Sequence, residues 1–272
     1  KLIDDSRTAV TQLKMDPEKI HHPIDFVDID KEYGCVKSKF KALIVGFGST
    51  GQDALRFLYE YSAFADKNGN KSPVEIHVID NNISALKGKF WQEVPGMDMM
   101  VDKEVFFHDL SAGSVEFDKF LNANIGQMNY VIVAAGSDEA NMDIASMIMD
   151  KALLYRTKKM SHFKVFVRMY SDNSIVKFDA AVKVYKEFCS GNEYAPLEYF
   201  GNTKELYSYN IIVKNHYEEE AVKFYNSYCK AVGSKTTWDE RREKEILKLG
   251  KIYGKRSLRR KEGQDKANCQ HC

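Results

Sequence analysis

Gly46-x-Gly48-x-x-Gly51 and an acid, Asp80, closing Val74-Glu-Ile-His-Val-Ile-Asp80, are the residues whose types and spacing suit a definite chemistry. Gly46 permits a tight turn, Gly48 lets a pyrophosphate approach the backbone, and Gly51 lets the following helix pack closely on the strand. Phe47, Ser49 and Thr50 complete the loop. A helix that starts there offers unpaired N–H groups and the positive end of its dipole to phosphate oxygens. Asp80, followed by Asn81, would accept hydrogen bonds from both hydroxyls of a ribose. A 2′-phosphate at that acid would meet like charge, so the expected ligand is NAD(H) or an adenine nucleotide (ATP, ADP or AMP).

Such a grip needs a strand before the loop, a helix after it and a second strand carrying the acid. The apolar run at 42–45, the amphipathic stretch 52–65 and the run 74–80 supply them in that order. The distance from Gly51 to Asp80 exceeds the usual spacing of about 20 residues. The polar cluster Asp66-Lys-Asn-Gly-Asn-Lys-Ser-Pro73 accounts for the excess as a long helix-to-strand loop. Further elements are expected in alternation: helix 81–89, strand 101–108, helix 110–124, strand 130–135, helix 139–155, strand 163–168 and a sixth strand at 210–213. Strands and helices alternating at these lengths predict an α/β fold, a Rossmann-like doubly wound parallel sheet. Ligands of such sheets bind beyond the carboxyl ends of the strands, where Gly46, Asp80, Asp109 and Gly136 all fall.

The bulk composition narrows the alternatives. With 40 basic against 39 acidic side chains, the chain has no global field for nucleic acid or a membrane surface. No apolar run approaches the roughly 18 residues of a membrane span. Five scattered cysteines form no framework and suggest reduced thiols in a cytoplasmic protein. The chain opens on Lys1 without a signal-peptide pattern and reads as a fragment, with room upstream for a membrane or effector domain. Residues 1–37 read as a leader, with an edge strand at 24–29 and a solvated turn at His21-His22-Pro23. Residues 38–215 form the nucleotide-binding domain, and 216–272 a small helical region. From Lys230 onward 13 Lys/Arg face 6 Asp/Glu, but interleaved acids and few aromatics favour a solvated helical surface over a nucleic-acid stripe. Cys269-Gln-His271-Cys272 is half a zinc site without a second pair of ligands, so no metal is expected.

The order of motifs resembles the TrkA-N, or RCK, nucleotide-binding domains that regulate potassium channels and transporters. The likeness covers roughly residues 38–215. It rests on the glycine loop and Asp80, on His108-Asp109 after the third strand, and on Val131-Ile-Val-Ala-Ala-Gly-Ser-Asp-Glu-Ala-Asn141. The resemblance implies that Gly46, Gly48 and Gly51 hold phosphates and that Asp80 holds the ribose. It also implies that Asp109 lies by the adenine, that Ala135 and Gly136 lie over the adenosine, and that Arg168 neutralises phosphate. It implies a sensor of nucleotides, a dimer by analogy, tethered to a membrane effector. The chain departs from a compact member of the family at 67–72 and 170–199. Its tail, with Trp238, Arg256-Ser257, Asn268 and His271, has a fainter likeness to a ryanodine-receptor-type repeat.

The alternative is an NAD-dependent oxidoreductase acting on a small metabolite, which needs a proton-transfer group opposite the nicotinamide. His77 sits mid-strand and His108 on the adenine side, the wrong end for hydride chemistry. No Ser-x-x-x-Tyr-x-x-x-Lys, Gly-x-Ser-x-Gly or His-Glu-x-x-His pattern occurs. Binding and regulation are therefore preferred over catalysis, and no catalytic residue is assigned.

Overall fold

A computed structural model describes residues 4–15, 20–94, 104–156, 159–189, 194–212, 216–241 and 243–244. Six strands form one sheet: β1 (Phe40–Val45), β2 (Val74–Asp80), β3 (Val105–Asp109), β4 (Tyr130–Val133), β5 (Lys164–Arg168) and β6 (Leu197–Phe200). Their spatial order is β3-β2-β1-β4-β5-β6 and every pairing is parallel. The order reverses between β1 and β4, which makes their carboxyl ends the switch point of a Rossmann-like sheet.

The helices that follow the strands divide between the two faces. They are α2 (Ser49–Tyr61), α3 (Ile83–Glu93), α4 (Val115–Asn124), α5 (Asp138–Tyr155) and α6 (Asp172–Phe188). One layer packs Phe40, Ala42 and Ile44 of β1 and Ile76 and Val78 of β2 against Leu55 and Leu58 of α2 and Phe90 of α3. The other packs Leu43 and Val45 against Phe117 and Leu121 of α4, Ile148 of α5 and Phe178 of α6. Strand side chains alternate between the faces, so β1, buried on both, reads as an unbroken apolar run.

Two stretches within the first 37 residues, expected to be a leader, pack into the core of the domain. Helix α1 (Asp5–Met15) packs on α2 and β6, and its Ala9, Val10 and Leu13 are buried in the first layer. Phe26 is fully buried at the end of a 3₁₀ turn, Pro23–Phe26. The edge strand expected at 24–29 reduces to a two-residue pairing of Ile29–Asp30 with Cys35–Val36, apart from the main sheet. His21 is likewise no solvated turn residue. It is 4% exposed, its Nε2 lies 2.6 Å from Glu198 Oε1, and Lys164 pairs with the same carboxylate. Burial pushes the Glu198 carboxyl up, but the hydrogen bond from His21 and the charges of Lys164 and His21 outweigh it and hold it at about 2. Asn129 ties the same region down, donating to Phe26 O and accepting from Lys41 N.

The sixth strand is Leu197–Phe200, not 210–213, where Tyr209–Ile212 forms a helical turn. Helix α3 starts at Ile83 rather than 81, and β3 at Val105. The chain separates into two compact units, 1–209 and 210–272, slightly earlier than the expected boundary at 215. In the second unit, α7 (His216–Val232) buries Tyr225 and Cys229, with Tyr225 edge-on to Trp238 at 5.4 Å, while Tyr228 is exposed. Residues 245–272, with the Cys269–Cys272 motif and most of the repeat-like tail, lie outside the described residues. Among the described residues, no helix is long and apolar enough to cross a membrane.

Candidate functional site

Strand β1 delivers the glycine loop to the carboxyl edge of the sheet. Gly46 turns the chain with φ +94°, and a side chain there would run into the Ala134 carbonyl of the neighbouring strand. Gly51 packs directly on the Gly46 carbonyl oxygen and leaves no room for a Cβ. Gly48 differs from both: no atom lies within 4 Å of where its Cβ would be, so its missing side chain leaves open space. It is the N-cap of α2 and carries no side-chain cap. The first helical bond runs from Gln52 N to Gly48 O, so the N–H groups of Ser49, Thr50 and Gly51 precede every intrahelical acceptor.

Asp80 is bound to this loop. Its Oδ2 accepts from Phe47 N at 2.7 Å and its Oδ1 from Asn82 N at 2.8 Å. A carboxylate has about four acceptor positions, so two remain for a diol. Phe47 contributes only its backbone: the ring is fully buried between Phe90 and Phe107. Gln52, 8% exposed, closes the loop from behind by donating to Phe47 O.

The opposite rim comes from β4 and β5. Asn141 of α5 is fully buried; its Oδ1 accepts from Ala135 N at 2.7 Å and its Nδ2 donates to Arg168 O at 2.8 Å. Asp138 accepts from Tyr170 N at 2.6 Å and Ser171 N at 3.0 Å. The Asp-x-x-Asn pair at the start of α5 thus splices the two loops together, a scaffold role made of four hydrogen bonds.

Between these rims lies a cleft of about 660 Å³. Gly46, Gly48, Ser49, Thr50, Asp80 and Asn81 line it, and Ala135 and Gly136 face them from the loop after β4. Four expected residues stand outside the lining. Phe47 and Gly51 shape the loop from beneath it. Asp109 is exposed at the end of β3, and Leu110, Ser111 and Ala112 take the wall position instead. Arg168 is only 2% exposed, packed under the Tyr170 ring, because an even-numbered residue of β5 points into the layer covered by α1.

Sequence reasoning missed several lining residues. Leu86 sits on the first turn of α3, Ile144 is the helical residue of α5 facing the sheet, and Ser6 and Tyr170 come from α1 and the β5 loop. Ile144 had a signal in the apolar period of its helix; Ser6 and Tyr170 had none, since tertiary placement alone brings them here. The only charged side chain on the described lining is Asp80.

Among the described residues, no group of three or more His, Cys, Asp or Glu side chains converges as a metal site. His77 and His108 lie across β2 and β3, 2.9 Å apart, with Glu75 taking the other ring nitrogen of His77 at 2.9 Å. Burial holds both imidazoles below their ordinary range, and neither lines the cleft.

The fold and cleft define a doubly wound α/β domain with an open crevice at its switch point. No family model matches the chain, and no curated protein matches it.

Proposed function

We propose that this domain binds an adenine nucleotide, with NAD(H) as the ligand that best fits the cleft, and that it acts as a regulatory sensor. The carrying observation is the pairing of an uncapped helix start at Gly48 with an acid, Asp80, fastened to the same loop. Three free N–H groups and a helix dipole favour a diphosphate, and the two remaining acceptor positions of Asp80 favour a ribose diol. The described lining holds no cation to offset a triphosphate or a 2′-phosphate beside Asp80, which favours NAD(H) over ATP or NADP.

The resemblance to TrkA-N domains supports a regulatory role, in which the bound nucleotide favours one arrangement of the domain relative to a second subunit or to an effector. A cytoplasmic setting and a membrane transport partner belong to this same proposal. Calorimetry with NAD+, NADH, ADP, ATP and NADP+, together with native mass spectrometry for a co-purified nucleotide, tests it. Saturable binding of NAD+ or NADH ahead of ATP is expected, without turnover of nicotinamide absorbance. A protein that binds none of the five at millimolar concentration removes the proposal.

A further inference from the structure

Helix α1 brings a hydroxyl to the glycine-loop end of the cleft. Ser6, on its first turn, lines the crevice together with Gly48, Ser49 and Thr50. Its Oγ lies 3.3 Å from Thr50 Oγ1, and the two hydroxyls share one hydrogen bond. That bond uses one hydroxyl hydrogen, and among the described residues the other has no acceptor. The helix start itself is closed, because Asp4 Oδ1 accepts from Arg7 N at 3.1 Å. What α1 offers the cleft is therefore a side chain rather than free N–H groups. Asp4 and Asp5 are exposed and stand outside the lining, Asp5 accepting instead from Tyr207 OH.

Packing fixes where Ser6 stands. Ala9, Val10 and Leu13 are buried in the same layer as Leu55 and Leu58 of α2. Gly201, at φ +76°, has no Cβ to strike the Ala9 methyl, and its N–H donates to Gln12 Oε1 at 2.8 Å. A helix of 11 residues is marginal by itself, so α1 keeps its shape by docking on the domain. Ser6 meets the cleft only in that docked state. The uncapped first turn of α2 and the hydroxyl of α1 thus converge on one place, although some 40 residues separate them in the chain.

We propose that Ser6 is a ligand-contacting residue: with Thr50 it donates to a phosphate oxygen of the bound nucleotide, so that ligand binding and the docking of α1 strengthen each other. This rests on the nucleotide reading of the cleft and extends it to an element that precedes the sheet. In the free protein the two hydroxyls bond to each other. In the complex that bond gives way to charge-assisted bonds from both hydroxyls to the anion.

Ser6→Ala tests this in the full chain. Alanine suits a partly exposed helix position, so the melting temperature should stay within about 2 °C of the parent. Affinity for NAD+ by calorimetry should fall about fivefold or more, while affinity for adenosine, which has no phosphate, stays within about twofold. Hydrogen exchange supplies a second readout: saturating NAD+ should slow the amides at 9–13 by a similar factor in the parent, and by clearly less in Ser6→Ala. Unchanged NAD+ affinity in Ser6→Ala overturns the proposal and leaves the nucleotide reading standing. Equal weakening of NAD+ and adenosine, or a melting temperature lowered by more than about 5 °C, makes Ser6 structural and overturns it too. So does exchange in α1 that NAD+ leaves unchanged in the parent, or slows equally in both proteins. Absence of NAD+ binding by the parent overturns both readings.

Discussion

Two sets of helices start at the same edge of the same sheet, and they treat their first turns in opposite ways. Helices α4, α5 and α6 are each capped by a serine: Ser114 accepts from Phe117 N, Ser137 from Ala140 N and Ser171 from Asn173 N. Helices α2 and α3 have no side-chain cap at Gly48 or Asn82. Both uncapped starts border the cleft, through Gly48, Ser49 and Thr50 on one side and Asn81 and Asn82 on the other. An uncapped first turn forgoes local stabilisation, about 1 kcal/mol in general but only a few tenths where glycine is the cap residue, as at Gly48. The two uncapped starts are those of the glycine loop and of the helix after Asp80, while α5, which also reaches the cleft through Ala140 and Ile144, keeps its serine cap. On the proposed reading, the two uncapped starts are the ones a ligand would meet.

The largest effect should come from breaking the glycine loop itself. In Gly51→Ala the new methyl falls on the Gly46 carbonyl oxygen, a backbone atom that cannot yield without moving β1 or α2. We expect a loss of about 3 kcal/mol or more in urea unfolding, at the upper end of overpacking costs. A variant unfolding at the same urea concentration as the parent would mean the close packing of α2 on the loop is looser than described.

Gly48→Asp separates binding from stability at the neighbouring position. There is space for the side chain, and aspartate is a preferred N-cap, so α2 would join the capped set and the protein should keep or slightly gain stability. The same carboxylate would satisfy the donors and place negative charge where phosphate belongs. NAD+ affinity should fall at least 100-fold, about 2.7 kcal/mol. Calorimetry showing unchanged affinity would detach the uncapped turn from ligand binding.

Asp80→Ala is the next smaller step. Losing the acceptor of two backbone N–H groups and of a ribose diol should weaken NAD+ by about 1–3 kcal/mol. Removing the like charge should at the same time narrow the preference for NAD+ over NADP+. Equal losses for both cofactors would argue that Asp80 only braces the loop.

The difference between legible and illegible parts of this molecule follows the same line. The glycine loop and Asp80 could be read because backbone demands, a positive φ at Gly46 and no space at Gly51, are written in residue type. Strands β1 and β4 could be read because burial on both faces leaves apolar runs at 42–45 and 130–133, and β2 and β5 because Val, Ile and Phe dominate them. Strand β6 escaped because only its end residues, Leu197 and Phe200, are buried, and the short apolar run in Asn210-Ile-Ile-Val213 carries no period that distinguishes strand from helix. Helix α1 escaped because three buried positions, Ala9, Val10 and Leu13, sit among polar neighbours in Ser6-Arg-Thr-Ala-Val-Thr-Gln-Leu-Lys14. The placement of Arg168 turned on strand parity, which decides the face a side chain occupies and needs the exact register of β5.

The smallest effect is the control that completes the contrast. Ser137→Ala removes the cap of α5, leaving Ala140 N without its acceptor, and should cost about 1 kcal/mol in unfolding free energy. Ser137 does not line the cleft, and the loop it precedes is held independently by Asn141 through Ala135 N and Arg168 O. NAD+ affinity should therefore stay within about twofold, the reverse of the pattern expected for Gly48→Asp. If Ser137→Ala instead weakened NAD+ as much as it weakened the fold, capping on the β4 side would be coupled to the ligand. The two sets of helix starts would then form one cooperative rim rather than a binding half and a supporting half.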